Sequence, residues 1–474
     1  MTPIGMNPSN EGNPNEVPLD PNADDDGNGN GDPSTTDPPT TDPPATDPPA
    51  TDPPTTDPPV TDPPTTDPPA TDPPATDPPV AEPPTNEPPP FVENSGANCP
   101  LPQFPPAGNL PAIGSLPDPF TKIDGTRVTT RADWRCRRQE INELAQQYIY
   151  GDKPNRPESV TGTVTNTSIS VNVQNQGRTA TFSATISRPT GVNGPVPAII
   201  GYGGSPFQNN ILQEGVAFIN YNVDVVGNET TRNPKQGVFY TVNPNSGFTG
   251  MLMAWAWGVS RMIDVIEQSG SQLIDPRAIG VTGCSRSGKG AFTAGAFDER
   301  VALTIPFESG TTGVPAWRLI VAEGGETPSA AYGYRPWAGD AFGAFLQNQT
   351  TLPIDTHEII GLVAPRGLLV LGNTGGNGQF YLNLDNLSEH ATAIAGKEIF
   401  TALGVPTNIS YDSRNVTHCQ NTDMFTAAVQ ASVGRFLLGN NAVTGAFTTD
   451  WEPVRASPDQ FKNWTTPTLE GELP

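Results

Sequence analysis

The chain has 474 residues and a net charge of −25, with 50 acidic against 25 basic side chains. Nineteen of those acids lie in the first 97 residues, which hold no Lys or Arg, so setting them aside leaves the rest of the chain at about −6. This balance speaks against nucleic acid as a partner, and no apolar run approaches the roughly 20 residues that span a bilayer.

From Thr36 to about Pro79 the sequence repeats Thr-Asp-Pro-Pro-X with period five, the beat marked by Asp37, Asp42 and so on to Asp77 and continued by Glu82 and Glu87. Proline fixes φ and removes backbone donors, and the regular negative charges repel. Residues 1–97 are therefore expected to be a disordered acidic linker, extended as polyproline II over about 170 Å along its repeats at ~3.1 Å per residue. Met1 to Asn10 lacks the basic stretch and apolar run of a secretory leader.

A folded domain is expected over 98–474. Ala132 to Tyr150 carries Ile141, Leu144, Ala145 and Tyr148 at helical spacing. Ser159 to Ser187 alternates in short β-like runs, with a turn near Asn175–Gly177. The pattern then changes to buried strands alternating with helices. Val196–Ile200 runs into Gly201-Tyr-Gly-Gly204, and Gly215–Asn220 is another strand. Gly250 to Gln268 is an apolar helix, followed by the strand Arg277–Thr282. After Gly283-Cys-Ser-Arg-Ser-Gly288 a helix runs to Phe297, and the strand Val301–Ile305 ends near Glu308. Arg366–Leu371 precedes a helix at Leu387–Ala395, Asn408–Tyr411 is read as the last strand, and Phe425 to Leu438 as the closing helix. The fold class is α/β, with a mostly parallel sheet covered on both faces.

A strand passing directly into a Gly-flanked serine and then a helix is the nucleophile-elbow arrangement of the α/β-hydrolase fold. Ser285 occupies that turn. The usual second glycine is displaced by one residue, with Ser287 two positions on and glycine only at 288. A serine nucleophile needs a base, and the chain has three histidines. His418 follows the last predicted strand, where this architecture places its base. His390 falls on a helix and is expected at the surface, and His357, after Pro353-Ile-Asp355, is expected to be structural or capping. No carboxylate follows Leu371 in Gly372–Gly378, so the third member is expected to be Glu308, 23 residues after Ser285, with Asp355 as the alternative. Cys284 precedes Ser285 and Cys419 follows His418. A disulfide between them would tie nucleophile turn to base loop, leaving Cys99 to pin the start of the domain to Cys136, a usage that suits an oxidising compartment.

The string Gly-Cys-Ser-Arg-Ser-Gly-Lys-Gly at 283–290, Glu308 and His418-Cys419 resemble the glucuronoyl esterases, carbohydrate esterase family 15. The likeness continues through Trp134-Arg-Cys-Arg-Arg-Gln-Glu-Ile141, Thr327-Pro-Ser329, Pro336-Trp337 and Ala364-Pro-Arg-Gly367. The resemblance implies a secreted enzyme that cleaves esters between 4-O-methyl-glucuronic acid of glucuronoxylan and lignin alcohols, with no metal or other cofactor. It implies Ser285 as nucleophile, His418 as base, Glu308 as orienting acid, Arg286 as the oxyanion arginine and Lys289 as a contact to the uronate sugar.

Departures from the family concern the sugar. A glutamine of fungal members before Thr-Pro-Ser is Glu326 here, a sugar-contacting glutamate falls on Tyr334, and a third disulfide is missing. A tryptophan that packs on the sugar has no clear match, with Phe380 or Tyr381 in its place. The expected substrate-binding set is Lys289, Glu326, Tyr334, Trp337 and Tyr381. The competing readings are another xylan-directed esterase, acetyl or feruloyl, and an inactive polysaccharide-binding module; a monomer tethered to another module is expected.

Overall fold

The computed structural model describes residues 92–97, 99–270, 272–320, 325–374, 386–420, 423–450 and 461–471. The chain divides into two compact units, Met1–Pro83 and Pro84–Pro474, and all described residues belong to the second. Residues 1–91 of the expected linker, with its polyproline repeat, lie outside the described residues, as do Phe380 and Tyr381.

The described chain begins ahead of the expected boundary at 98. Glu93 pairs with Lys153 at 2.6 Å, with Arg261, and with Arg300 at 3.7 Å. These three cations hold its carboxyl far below the ordinary carboxylate range, against the cost of burial. Residues 92–97 therefore belong with the folded body. In the sequence, Glu93 is indistinguishable from the other acids of the tail.

Among the described residues ten strands form one sheet: β1 Ser159–Val164, β2 Ser168–Asn175, β3 Arg178–Ser187, β4 Val196–Tyr202, β5 Ala217–Tyr221, β6 Ile274–Cys284, β7 Val301–Phe307, β8 Gly367–Asn373, β9 Ile409–Arg414 and β10 Phe447–Thr449. Their order is β1-β2-β3-β5-β4-β6-β7-β8-β9-β10. The first three strands pair antiparallel with each other and with β5, and every pairing from β5 onward through β4 to β10 is parallel. The turn expected near Asn175–Gly177 joins β2 to β3 and is a two-residue turn, with Asn175 paired to Arg178. Gln176 and Gly177 both have positive φ, at 50° and 70°, which matches the twist of a hairpin. β10 corrects the reading that the strand near 408 is the last: three residues, only partly buried, give no periodic signal.

The longer helices are α1 Arg131–Ala145, α2 Met251–Gln268, α3 Arg286–Phe297, α4 Thr356–Val363, α5 Asn386–Ala402 and α6 Asp423–Phe436. α1 starts at a capping box, with the Thr130 hydroxyl accepting from the Asp133 N–H, and closes in a wide turn over Gln146–Tyr150. α2 is buried along Met251–Ile266, so it is apolar all round rather than striped. None of the described helices is long and apolar enough to cross a membrane.

His390 is a second correction. It is buried, its ring 5.1 Å from that of Tyr411 in β9, because α5 lies against the sheet and buries its neighbours Ala391, Ala393 and Ala395 as well. His357 is structural, as expected. It is fully buried, its Nε2 is 2.8 Å from the Pro117 carbonyl, and its ring stacks on Trp464. The cap of that helix is Asp355.

Candidate active site

The carboxyl ends of the central parallel strands carry the chemistry-bearing residues, where crossing connections leave loops and helix starts free to converge. β6 ends at Cys284. Ser285 then takes φ 58° and ψ −129°, a conformation costly for a residue with a Cβ, and α3 begins at the next residue. The turn is bonded on both sides. The Ser285 N–H donates to the Phe307 carbonyl at 2.9 Å, and its own carbonyl accepts from Lys289 N–H at 3.0 Å. Two glycines make the turn possible. A Cβ at Gly283 would stand 2.4 Å from the Ser287 carbonyl oxygen, and one at Gly288 would stand 2.7 Å from that of Phe307. The crowding behind the elbow therefore falls on position 288, which explains why Ser287 is accommodated where the common motif has glycine.

Glu308 follows β7, with positive φ and its N–H donating to Leu371 at 2.8 Å. Its buried Oε2 meets His418 Nδ1 and accepts the Cys419 N–H at 3.1 Å. With Nδ1 engaged by a carboxylate, Nε2 is the ring nitrogen chemically suited to accept a proton. The bridge Cys284–Cys419 holds the neighbours of Ser285 and His418 with Cα atoms 5.7 Å apart, and Cys99–Cys136 is joined at 5.5 Å. Ser285, Glu308 and Cys419 are three of the five described non-glycine residues with positive φ, so strain gathers at this one edge. Cys284, Glu308, His418 and Cys419 offer donor atoms within 4.8 Å of one another, but the two sulfurs are spent on each other and supply no thiolate for a metal.

Asp355 is occupied elsewhere. It caps α4, accepts from the Trp317 N–H at 2.9 Å and pairs with Arg318 at 2.9 Å. Arg286 opens α3 with a largely exposed side chain whose Nε is 2.9 Å from Glu229 Oε1. Glu229 carries no signal in the sequence, where it stands in an ordinary polar loop. Its other oxygen accepts the indole N–H of Trp337 at 2.7 Å.

Lys289 is fully buried, one turn along α3 from Ser285. Its ammonium donates to the Ser309 and Thr311 carbonyls at 2.7 and 2.8 Å and to Glu326 Oε2 at 2.7 Å, and lies 5.1 Å from the Trp337 ring. Burial lowers its pKa, partly offset by Glu326. Lys289, Glu326 and Trp337 thus form one cluster. The backbone of Tyr334 closes the turn Ala330–Tyr334, and Tyr381 lies outside the described residues.

A family profile described as "Glucuronyl esterase, fungi" matches residues 171–404. The 4-O-methyl-glucuronoyl methylesterase of Schizophyllum commune is 39% identical over 367 residues, covering 75% of this chain and 91% of its own. The chain belongs to the glucuronoyl esterases. The α/β-hydrolase fold agrees with solved structures of this family. The catalytic domain from Hypocrea jecorina superposes with a TM-score of 0.71 at 36% identity, covering 78% of this chain and 100% of that one. A serine-to-alanine variant of the Sporotrichum thermophile glucuronoyl esterase, in complex with methyl 4-O-methyl-β-D-glucopyranuronate, gives 0.71 at 36% identity over 76% of this chain and 98% of its own. In this glucuronoyl esterase the carboxylate at 308 meets the imidazole at 418, and the Cys284–Cys419 bridge joins the residues next to Ser285 and His418. Glu229 is the residue that sequence reasoning missed.

Proposed function

We propose that this glucuronoyl esterase hydrolyses the C6 ester of (4-O-methyl-)glucuronic acid on glucuronoxylan, freeing the alcohol on the lignin side. The observation that carries the reading is the Glu308–His418 contact set against the strained Ser285 elbow and locked by the Cys284–Cys419 bridge. His418 takes the Ser285 proton as the hydroxyl oxygen attacks the ester carbonyl. The tetrahedral oxyanion is stabilised by Arg286, through its backbone N–H and guanidinium. The C–O bond to the alcohol breaks as His418 returns the proton to the leaving oxygen. Water, deprotonated by His418, then attacks the acyl-enzyme, releasing the uronic acid and restoring Ser285.

Lys289, Glu326, Tyr334, Trp337 and Tyr381 are proposed to shape the sugar subsite. The disulfides and the acidic Pro-rich segment fit a secreted enzyme carried on a spacer. The test is hydrolysis of benzyl or methyl esters of glucuronic acid by the purified chain, compared with acetylated xylan. The expected result is turnover of the uronate ester that vanishes in Ser285→Ala. Full activity in that variant would sink the assignment, and faster deacetylation of xylan would move the substrate class.

A further inference from the structure

Arg286 bears the charge assigned to the oxyanion, yet its side chain is 60% exposed. An exposed arginine left to itself spreads over many rotamers, and fixing it costs side-chain entropy. Here one carboxylate removes that freedom. Glu229 is 8% exposed, and among the described residues its Oε1 faces Arg286 Nε while its Oε2 accepts from Trp337 Nε1.

Glu229 itself is held by a loop stitched on two sides. Asn228 N–H donates to the Gln236 carbonyl, and Asn228 Oδ1 accepts from Thr230. Arg232 reaches the Tyr332 carbonyl, its guanidinium 4.4 Å from that ring, and Lys235 pairs with Asp340 at 2.7 Å. Trp337, which the sequence offers as a sugar contact, is 8% exposed, with its N–H spent on Glu229 and its face turned to Lys289.

We propose that Glu229 is a positioning residue for the esterase reaction: carried by Trp337, it holds the Arg286 guanidinium preorganised for the oxyanion. The inference rests on the assignment of Arg286 under the proposed function. Charge on the carbonyl oxygen develops only in the transition state, so a preorganising contact acts on kcat and leaves KM nearly unchanged.

The experiment is a double-mutant cycle on a glucuronate ester, run well below the melting temperature of every variant. Glu229→Ala is expected to lower kcat about tenfold with KM within about twofold, and Glu229→Gln to fall between it and the wild type. Trp337→Phe, which removes the N–H and keeps the ring, should reproduce part of the loss. In an Arg286→Ala background Glu229→Ala should lower kcat no further. An equal loss in that background, or a change confined to KM or melting temperature, overturns the proposal. Ser285→Ala is assayed alongside: its inactivity upholds the serine-esterase reading whatever the cycle gives, so the two fail separately.

Discussion

Glu308 and His418, 110 positions apart in the chain, meet through a single carboxylate oxygen that also takes the backbone N–H of Cys419. One oxygen therefore fixes both the ring and the loop that carries it. Glu308→Gln keeps the shape but removes the charge that favours the imidazolium, and is expected to lower kcat on the order of 10⁴-fold. Asp355→Asn is expected to leave kcat within about twofold while destabilising the fold by about 1–3 kcal/mol, since Asp355 caps α4 and faces buried Arg318. Steady-state kinetics and urea melts on the pair of variants check this. The reverse pattern would make Asp355 the acid.

The two disulfides divide stability from activity. Cys284–Cys419 closes a separation of 135 residues and Cys99–Cys136 one of 37, for which loop entropy gives about 5 and about 4 kcal/mol. Removing either pair by serine substitution should lower the melting temperature. Only loss of Cys284–Cys419 should also depress kcat, because it alone spans the nucleophile turn and the base loop. Calorimetry and ester hydrolysis on both double variants separate the two effects, and equal kcat in both would deny the bridge a role in aligning the site.

The part of this site legible in the sequence was local chemistry. Ser285 stands between an apolar strand and small residues, His418 follows the strand read at Asn408–Tyr411 while His390 falls on a helix and His357 precedes one, and the cysteines flank both residues. Long-range partnership was not legible. Glu229 acquires its meaning from Trp337, 108 positions later, and Glu93 from three cations scattered from 153 to 300. The helical position of His390 was readable from the pattern. Its burial was not, because that depends on which face α5 turns to β9.

The displaced glycine of the elbow makes a sharp test. A methyl group at 288 would press on the Phe307 and Gly283 carbonyl oxygens at 2.7 and 3.1 Å, both fixed backbone atoms. Gly288→Ala is therefore expected to cost at least 100-fold in kcat/KM, on the order of what misplacing a reacting group entails. Ser287→Gly restores the common motif and should leave activity within about threefold. Kinetics on the two variants decide it: a tolerant Gly288→Ala would mean that the turn is not held by this contact.

Acid stability turns on two neighbours that pull in opposite directions. Burial drives the His357 pKa from 6.5 down to about 4, with Asp355 and the Pro117 carbonyl offsetting only part of the effect. Between those values the unfolded chain takes up a proton that the fold refuses, so stability falls as pH falls. Burial also drives Glu358 up from 4.5 to about 7, against the pull of Arg137, so that between those values the fold keeps a proton that the unfolded chain has lost. That contribution grows as pH falls, and the two slopes nearly cancel between pH 6.5 and 4.5. His357→Gln removes the first slope alone. Its stability deficit relative to the wild type, measured by urea unfolding, should shrink by about 2–3 kcal/mol on going from pH 6.5 to 4.5, at about 1.4 kcal/mol per pH unit. A deficit that stays constant across that window would mean the buried ring is not held neutral.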